Sequence, residues 1–548
     1  DLGSELSNDT GLFVYTTQNG EGGNAYYAVT LVSNGSEQQL GTSGDVLTAA
    51  VQESVAETSP ILVSSFNGGK SQVFTQFTDY KDWNPTFQGY AYNYSIALPE
   101  NYDPFQRYEL RVEMHAYTEG HRLLPEAEFG WDVIQLFVDD PGIDRGTVHT
   151  WWYGFAADHN YETNGPIPTG GFIENFTEQR VLKAIDEVIA NNEFSIDTSR
   201  INAFGHSMGG SAALTLGMRY GNVFSSTYSS EGMTDFAASP GFQEDFVQLW
   251  GTQQSNLQIV NDGKYAGPIA QYGAGGSNPT GVWNWMDLGE QIVRMRGLDM
   301  AFLNFGHGKA DTAIPWASQG QPFMAAVDAA DVGYSAEQRG GWDHTWMGFD
   351  FLPKTLFSDA DGNLNAWYFS KTDSHLAISN ATESGTPTPT QGGTDYYNQT
   401  IDWATPNNPF HLSPLDTTDQ YEISVRSTTN PQTADITPRN FQNFSVNPGD
   451  VVTWQNVDNN TGVILQQGQV TVDADGLLTL NNVSIATGTG SRLILVADPS
   501  RPNSPPPATE PPPVIEPPVV EPPADVEPNQ PPVDETMPAP ENLQPPVD

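Results

Sequence analysis

The stretch Ile201-Asn-Ala-Phe-Gly-His-Ser-Met-Gly-Gly-Ser-Ala-Ala-Leu-Thr-Leu-Gly-Met-Arg-Tyr220 decides the fold. Ile201 to Phe204 reads as a short strand, and Gly209 to Tyr220 as a helix rich in small residues. Between them stands Gly205-His206-Ser207-Met208-Gly209, the G-x-S-x-G pattern of a nucleophile elbow. Such a turn lifts the serine hydroxyl above the sheet, and its glycines are needed because larger side chains would clash at the bend. A chance glycine–serine turn is the plain alternative. The strand before it and the helix after it favour the nucleophile.

A serine hydroxyl is a weak nucleophile and needs a base, which in turn needs an orienting acid. On this kind of sheet the chain order is serine, acid, histidine. Of nine histidines, His307 and His344 follow Ser207 at candidate strand ends. His344 lies in Gly340-Gly341-Trp342-Asp343-His344-Thr345-Trp346, a glycine-rich loop late in the pattern, where the base belongs. The acid is expected after the strand ending at Phe305, which makes Asp311 the candidate and His307 a loop-shaping residue. Glu231 and Asp235, after the preceding strand, are alternative acids, and Asp343 is expected to diverge from the ring. The developing oxyanion should meet the backbone N–H of Met208. A second donor is expected from Ala116 or Tyr117, after the strand Tyr108–Met114.

Outward from the elbow, residues 75–380 alternate strands with helices, as a largely parallel α/β sheet does. Within that block, 237–292 is longer than a normal connection, contains Trp250, Trp283 and Trp285, and is expected to be a cap beside the active site. Residues 1–74 hold short alternating runs such as Leu12–Tyr15 and Tyr26–Val32, the pattern of a small β-rich accessory module. A linker is expected at 381–410 and a second β module at 411–499. The turns Asp361-Gly362 and Asp475-Gly476 lack the ligand series of a calcium loop and read as plain turns. The segment 500–548 is nearly all Pro, Glu, Val and Asp and should be a disordered, partly polyproline-II linker leading to a further domain or a surface anchor.

Composition limits what such a protein can do. The 548 residues carry 21 basic and 67 acidic side chains, a net charge of −46. That field repels phosphate backbones and anionic lipid, which argues against nucleic-acid and membrane-surface binding. Only part of it sits in the tail, since Arg501–Asp548 holds nine carboxylates and one arginine. Scarce lysine and abundant aspartate over the whole body point to a marine or salt-tolerant protein, because salt screens self-repulsion. Cysteine is absent, which excludes disulfides, thiol catalysis and iron–sulfur clusters. No apolar run approaches the ~18 residues of a membrane helix. The start at Asp1, the polar linkers and the proline tail read as a trimmed, exported chain, free outside the cell, periplasmic or surface-anchored.

The series Leu98-Pro-Glu-Asn-Tyr-Asp103, Met114-His115-Ala116, Gly205–Gly210, His307-Gly308-x-x-Asp311 and Gly341-x-x-His344-x-Trp346 resembles the α/β-hydrolase superfamily over residues 85–375. Within it the chain is similar to secreted esterases of the polyhydroxybutyrate-depolymerase and feruloyl-esterase kind, which overlap with prolyl-oligopeptidase-like sequences. The resemblance implies a mostly parallel central sheet flanked by helices and a Ser207–His344–Asp311 triad. It also implies an ester substrate, small or polymeric. Two departures stand out: Ala116-Tyr117 where relatives have glycine, and Trp342-Asp343 between the glycine pair and His344. The flanking β modules resemble fibronectin-like accessory domains, through which the protein could attach to a polymer or cell surface.

Trp151, Trp152, Trp316, Trp342 and Trp346 fall near strand ends, where they can form a platform for a flat acyl group or instead pack the core beneath the loops. Three functions are therefore carried forward. The first is a serine carboxylesterase needing neither metal nor cofactor. The second is a serine peptidase on the same scaffold, which the short N-terminal zone, too small for a propeller, disfavours. The third is a binding protein with an inert hydrolase body, which an intact serine, acid and base disfavour.

Overall fold

The computed structural model describes residues 22–28, 30–33, 36–38, 46–54, 59–78, 90–121, 133–140, 142, 148–157, 159, 165–260, 265, 272, 280–347, 370–383, 393–406 and 410–497. Its centre is a ten-stranded sheet. In chain order the strands are β1 (Ile61–Phe66), β2 (Ser71–Thr78), β3 (Tyr90–Ala97), β4 (Tyr108–Met114), β5 (Ile134–Phe137), β6 (Ile196–His206), β7 (Ser226–Ser230), β8 (Leu303–Gly308), β9 (Tyr334–Arg339) and β10 (Asp395–Tyr397). Across the sheet they run β10-β9-β8-β7-β6-β4-β5-β3-β2-β1. The strands β5, β4, β6, β7, β8 and β9 are parallel neighbours, while β1–β3 and β10 are added antiparallel at the two sides. Strands covered on both faces need near-continuous burial, and β4, β7, β8 and β9 supply it.

Three helices link the parallel strands: α1 (Phe176–Ala190) before β6, α2 (Met208–Arg219) after it, and α5 (Gly320–Ala329) between β8 and β9. Helix α2 is buried throughout, which its run Gly209-Gly-Ser-Ala-Ala213 permits by letting the backbone approach the sheet. At its far end buried Arg219 is paired with buried Glu178 of α1 and donates to the Trp285 carbonyl at 3.0 Å. The insertion 237–292 contributes α3 (Gln243–Trp250) and, running just past it, α4 (Leu288–Arg294). Its Trp250, Trp283 and Trp285 are buried, with Trp250 stacked on Phe246 at 5.2 Å and donating to the Gly154 carbonyl. The expected cap is thus a lobe packed into the main core.

The expected boundaries shift in three places. Strands β1 and β2 lie within 1–74 but pair with β3 as part of the main sheet, so no boundary falls at 74. Two short antiparallel pairings, Gly23–Ala25 with Val51–Glu53 and Leu31–Ser33 with Ser36–Gln38, are the β structure described before them. The run Leu12–Tyr15 lies outside the described residues. The expected linker 381–410 contains β10, which closes one side of the main sheet, and Ile401–Trp403, which pairs with Gln420–Ser427. The C-terminal β module also begins earlier than 411, because His375–Ser379 pairs with Gln432–Arg439. A separate module and an extension of a neighbouring sheet share one alternating pattern, so only pairing tells them apart.

The C-terminal strands form a six-stranded and a three-stranded antiparallel sheet whose apolar core also takes in Phe204, Tyr228 and Phe302 of the main body. Arg439, buried, donates to the carbonyls of Asp331 and Leu298, and Asn440 donates its N–H to Asp299 Oδ1. Asp475-Gly476 is the expected plain turn: Asp473 accepts from the N–H groups of Asp475 and Leu477, and Gly476 has φ +83°. Asp361-Gly362 and the Pro-rich segment lie outside the described residues. Arg439→Ala should cost about 1–2 kcal/mol, because it leaves two part-buried carbonyls at this junction without their donor. A urea midpoint measured beside the wild type checks it, and an unchanged midpoint would mean the contacts are replaceable.

Candidate active site

Every residue of the site leaves the same edge of the sheet. In the parallel register Gly205 faces Met114, His206 faces Ser230, and His307 faces Gln338. The ends of β4, β6, β7, β8 and β9 therefore deliver His115–Tyr117, Ser207, Glu231, Asp311 and His344 to one place. Ligand sites in open parallel sheets form at this carboxyl edge.

Ser207 sits at φ +57°, ψ −119°, a backbone region that non-glycine residues rarely occupy. The tightness of the bend explains its glycines: a Cβ on Gly205 would lie 2.2 Å from the Gly209 carbonyl carbon, and one on Gly209 would lie 1.9 Å from the Met114 oxygen. The turn presents Ser207 Oγ to His344 Nε2 at 2.8 Å. On the other side of the ring, His344 Nδ1 lies 2.8 Å from Asp311 Oδ2. Asp311 Oδ1 accepts from the N–H groups of Ala313 and Ile314, each at 2.8 Å. Burial pushes the Asp311 carboxyl upward, but the bonds from His344 and Ile314 and the nearness of His307 outweigh it and hold the group below its usual range. Ionised Asp311 can only accept, so Nδ1 carries the imidazole proton and Nε2 offers its lone pair to the serine.

The structure separates the alternative acids. Asp343 turns away from the ring, accepting from Thr312 N–H, Thr312 Oγ1 and the His344 N–H. Asp235 accepts from Ala238 N–H, in a turn also held by Gln319. His307 shapes its loop, with Nε2 on the Ile314 carbonyl at 2.8 Å. Glu231 lies directly behind Asp311, a juxtaposition no sequence spacing announces. Together with His307 the two make a group whose ligand atoms lie within 4.8 Å of one another, but Asp311 is already engaged by His344 and two N–H groups.

Of the two expected second oxyanion donors, Ala116 N–H is taken by the Glu119 carboxylate at 2.9 Å. Tyr117 N–H has no acceptor among the described residues. The loop is braced from below: Asp140 N–H donates to His115 Nε2, Thr118 N–H to His149 Nε2, and Trp152 Nε1 to the His115 carbonyl. The Tyr117 hydroxyl reaches Asp245 of α3 at 3.2 Å, tying the loop to the inserted lobe. Burial and then Asp245 push that phenol up to about 12.

The aromatic platform is smaller than expected. Trp151, Trp152 and Trp316 are at most 2% exposed and pack beneath the loops. Trp151 and Trp152 take left-handed backbone angles, φ +52° and +63°, and Trp151 is wedged among Phe236, Phe242 and Phe246. Trp342 and Trp346, by contrast, remain 39% and 36% exposed on either side of His344. Trp342 lies over the Arg339 guanidinium, and Trp346 packs near His206, which burial and the neighbouring His344 push down to about 4.

Residues 89–322 match the Esterase family model. No curated protein matches the chain. Among solved structures the chain is similar to an S-formylglutathione hydrolase from Agrobacterium tumefaciens, with 14% identity and a TM-score of 0.36 over 52% of this chain and 92% of that one. It is similar to a ferulic acid esterase, with 15% identity and a TM-score of 0.33 over 50% and 93%. A dipeptidyl peptidase 4 from Porphyromonas gingivalis matches with 16% identity and a TM-score of 0.32 over 49% of this chain and 32% of that one, so the chain spans about a third of the peptidase.

Proposed function

We propose that this carboxylic ester hydrolase of the α/β-hydrolase fold works through Ser207, His344 and Asp311 by way of an acyl-enzyme. The observation that carries the reading is the unbroken chain from Ser207 Oγ through both nitrogens of His344 to Asp311, each link 2.8 Å. His344 Nε2 takes the hydroxyl proton as Ser207 Oγ attacks the ester carbonyl. Asp311 stabilises the imidazolium without taking its proton. Charge on the carbonyl oxygen is met by Met208 N–H and Tyr117 N–H, and the departing alkoxide receives the proton from Nε2. Water activated by the same nitrogen then releases the acid.

The finer reading is a secreted, salt-tolerant enzyme acting on esters with a flat or polymer-borne acyl group. Exposed Trp342 and Trp346 flanking the base support it, as does the acidic composition. No helix among the described residues is long and apolar enough to cross a membrane. The test is a series of p-nitrophenyl esters of increasing acyl length, run beside matched p-nitroanilides in high salt. Ester turnover with a chain-length optimum and negligible anilide turnover is expected. Comparable kcat/KM on the anilides would make the protein a peptidase.

A further inference from the structure

Glu231 follows β7 at φ +55°, its N–H donating to the Gly306 carbonyl at 2.9 Å, and its side chain is wholly enclosed. Gly308 N–H points at both of its carboxyl oxygens, 2.9 Å from each. Its Oε2 is 3.9 Å from His307 Nε2, and that same nitrogen is 3.9 Å from Asp311 Oδ2. A carboxyl oxygen of Glu231 and one of Asp311 lie within 4.8 Å of each other, both enclosed. Asp311 Oδ1 is filled by two backbone N–H groups, whereas Oδ2 spends one lone pair on His344 and keeps another.

We propose that Glu231 is a positioning residue, a protonated carboxyl that donates a hydrogen bond to Asp311 and fixes the carboxylate that orients His344. The inference rests on the triad reading above. Two adjacent buried carboxylates cannot both ionise, and the pair settles the matter by environment. Asp311 has His344, Ile314 N–H and His307 to hold its charge. Glu231 has burial against it first, then Asp311, and only Gly308 N–H and the more distant Arg339 guanidinium in favour of ionisation. His307, the remaining titratable neighbour, is pushed toward its neutral form by burial.

A neutral Glu231 has a thermodynamic signature. Its carboxyl is raised from 4.5 to about 10. The stability it contributes is therefore complete below the ordinary carboxyl range and is lost as pH rises toward the folded value. Glutamine imitates the neutral acid, with an oxygen for Gly308 N–H and an N–H for Asp311, and titrates in neither state.

The experiment compares wild type, Glu231→Gln, Glu231→Leu and Asp311→Asn as full chains, on p-nitrophenyl acetate and in thermal melts from pH 5 to 9. Glu231→Leu should lower kcat about 10- to 100-fold at unchanged KM, while Glu231→Gln stays within about threefold of wild type and keeps the acidic limb of its kcat/KM profile. The Tm advantage of Glu231→Gln over wild type should widen with rising pH. An acidic limb moved down by about one pH unit in Glu231→Gln, the mark of a lost negative charge, overturns the proposal. A Tm gap flat in pH, or wild-type kcat in Glu231→Leu, overturns it too. If Glu231→Leu does not fold, the glutamine profile and melts decide alone. Full activity in Asp311→Asn would instead overturn the triad reading beneath it.

Discussion

Ser207→Ala should lower kcat on a p-nitrophenyl ester about 10⁵- to 10⁶-fold while KM changes by no more than a few-fold. The loss is that large because the three side chains act as one unit: without Oγ, the Nε2 lone pair of His344 has no proton to take and the acyl-enzyme cannot form. Residual turnover would come from water attacking a carbonyl still polarised by Met208 and Tyr117 N–H. Stability should hardly move, since alanine keeps the β-carbon and so keeps the strain of φ +57°, ψ −119°. Ser207→Gly separates the two effects. It should be equally inactive yet more stable by about 1 kcal/mol, because glycine adopts this backbone without the penalty. Urea midpoints for the three proteins are the measurement. A large stability loss in Ser207→Ala, matched to its activity loss, would recast the serine as structural.

The elbow was legible because its demands are local. Strand, sharp turn, glycines and helix all fall within twenty consecutive residues, and each imposes a residue type. Asp311 and His344 were legible through chain order and loop position, as each leaves a successive strand end. In the sequence Glu231 competes with Asp311 for the acid's role because it also follows a strand. That the two meet depends on the spacing of β7, β8 and the loop 309–315 in three dimensions. Trp151, Trp152 and Trp316 show a different limit. An aromatic at a strand end can cover the site or fill the space beneath it, and only the neighbouring lobe, with Phe242 and Phe246 against Trp151, decides. The edge strand Asp395–Tyr397 was hidden for a simpler reason, being three residues in a polar stretch with no periodicity to read.

Asp311→Asn should cost about 10⁴-fold in kcat, and the structure dictates why. The Oδ1 position is held by two N–H donors, from Ala313 and Ile314, so the asparagine amide must keep its oxygen there. Its NH2 group is then forced into the Oδ2 position facing His344 Nδ1. A donor at that point turns the imidazole to the tautomer with hydrogen on Nε2, which cannot accept from Ser207. Packing is retained, since asparagine fills the same volume and keeps both backbone bonds. The loss should therefore appear in kcat at a nearly unchanged Tm. Asp343→Asn is the control, because it removes a charge from the residue next to His344 in sequence. Its remaining oxygen can still accept from Thr312 and His344 N–H, so activity should fall by no more than a few-fold. Stopped assays across pH on the two variants check the contrast. A comparable loss in both would mean that negative charge near the ring, rather than the Asp311 acceptor geometry, sets the state of His344.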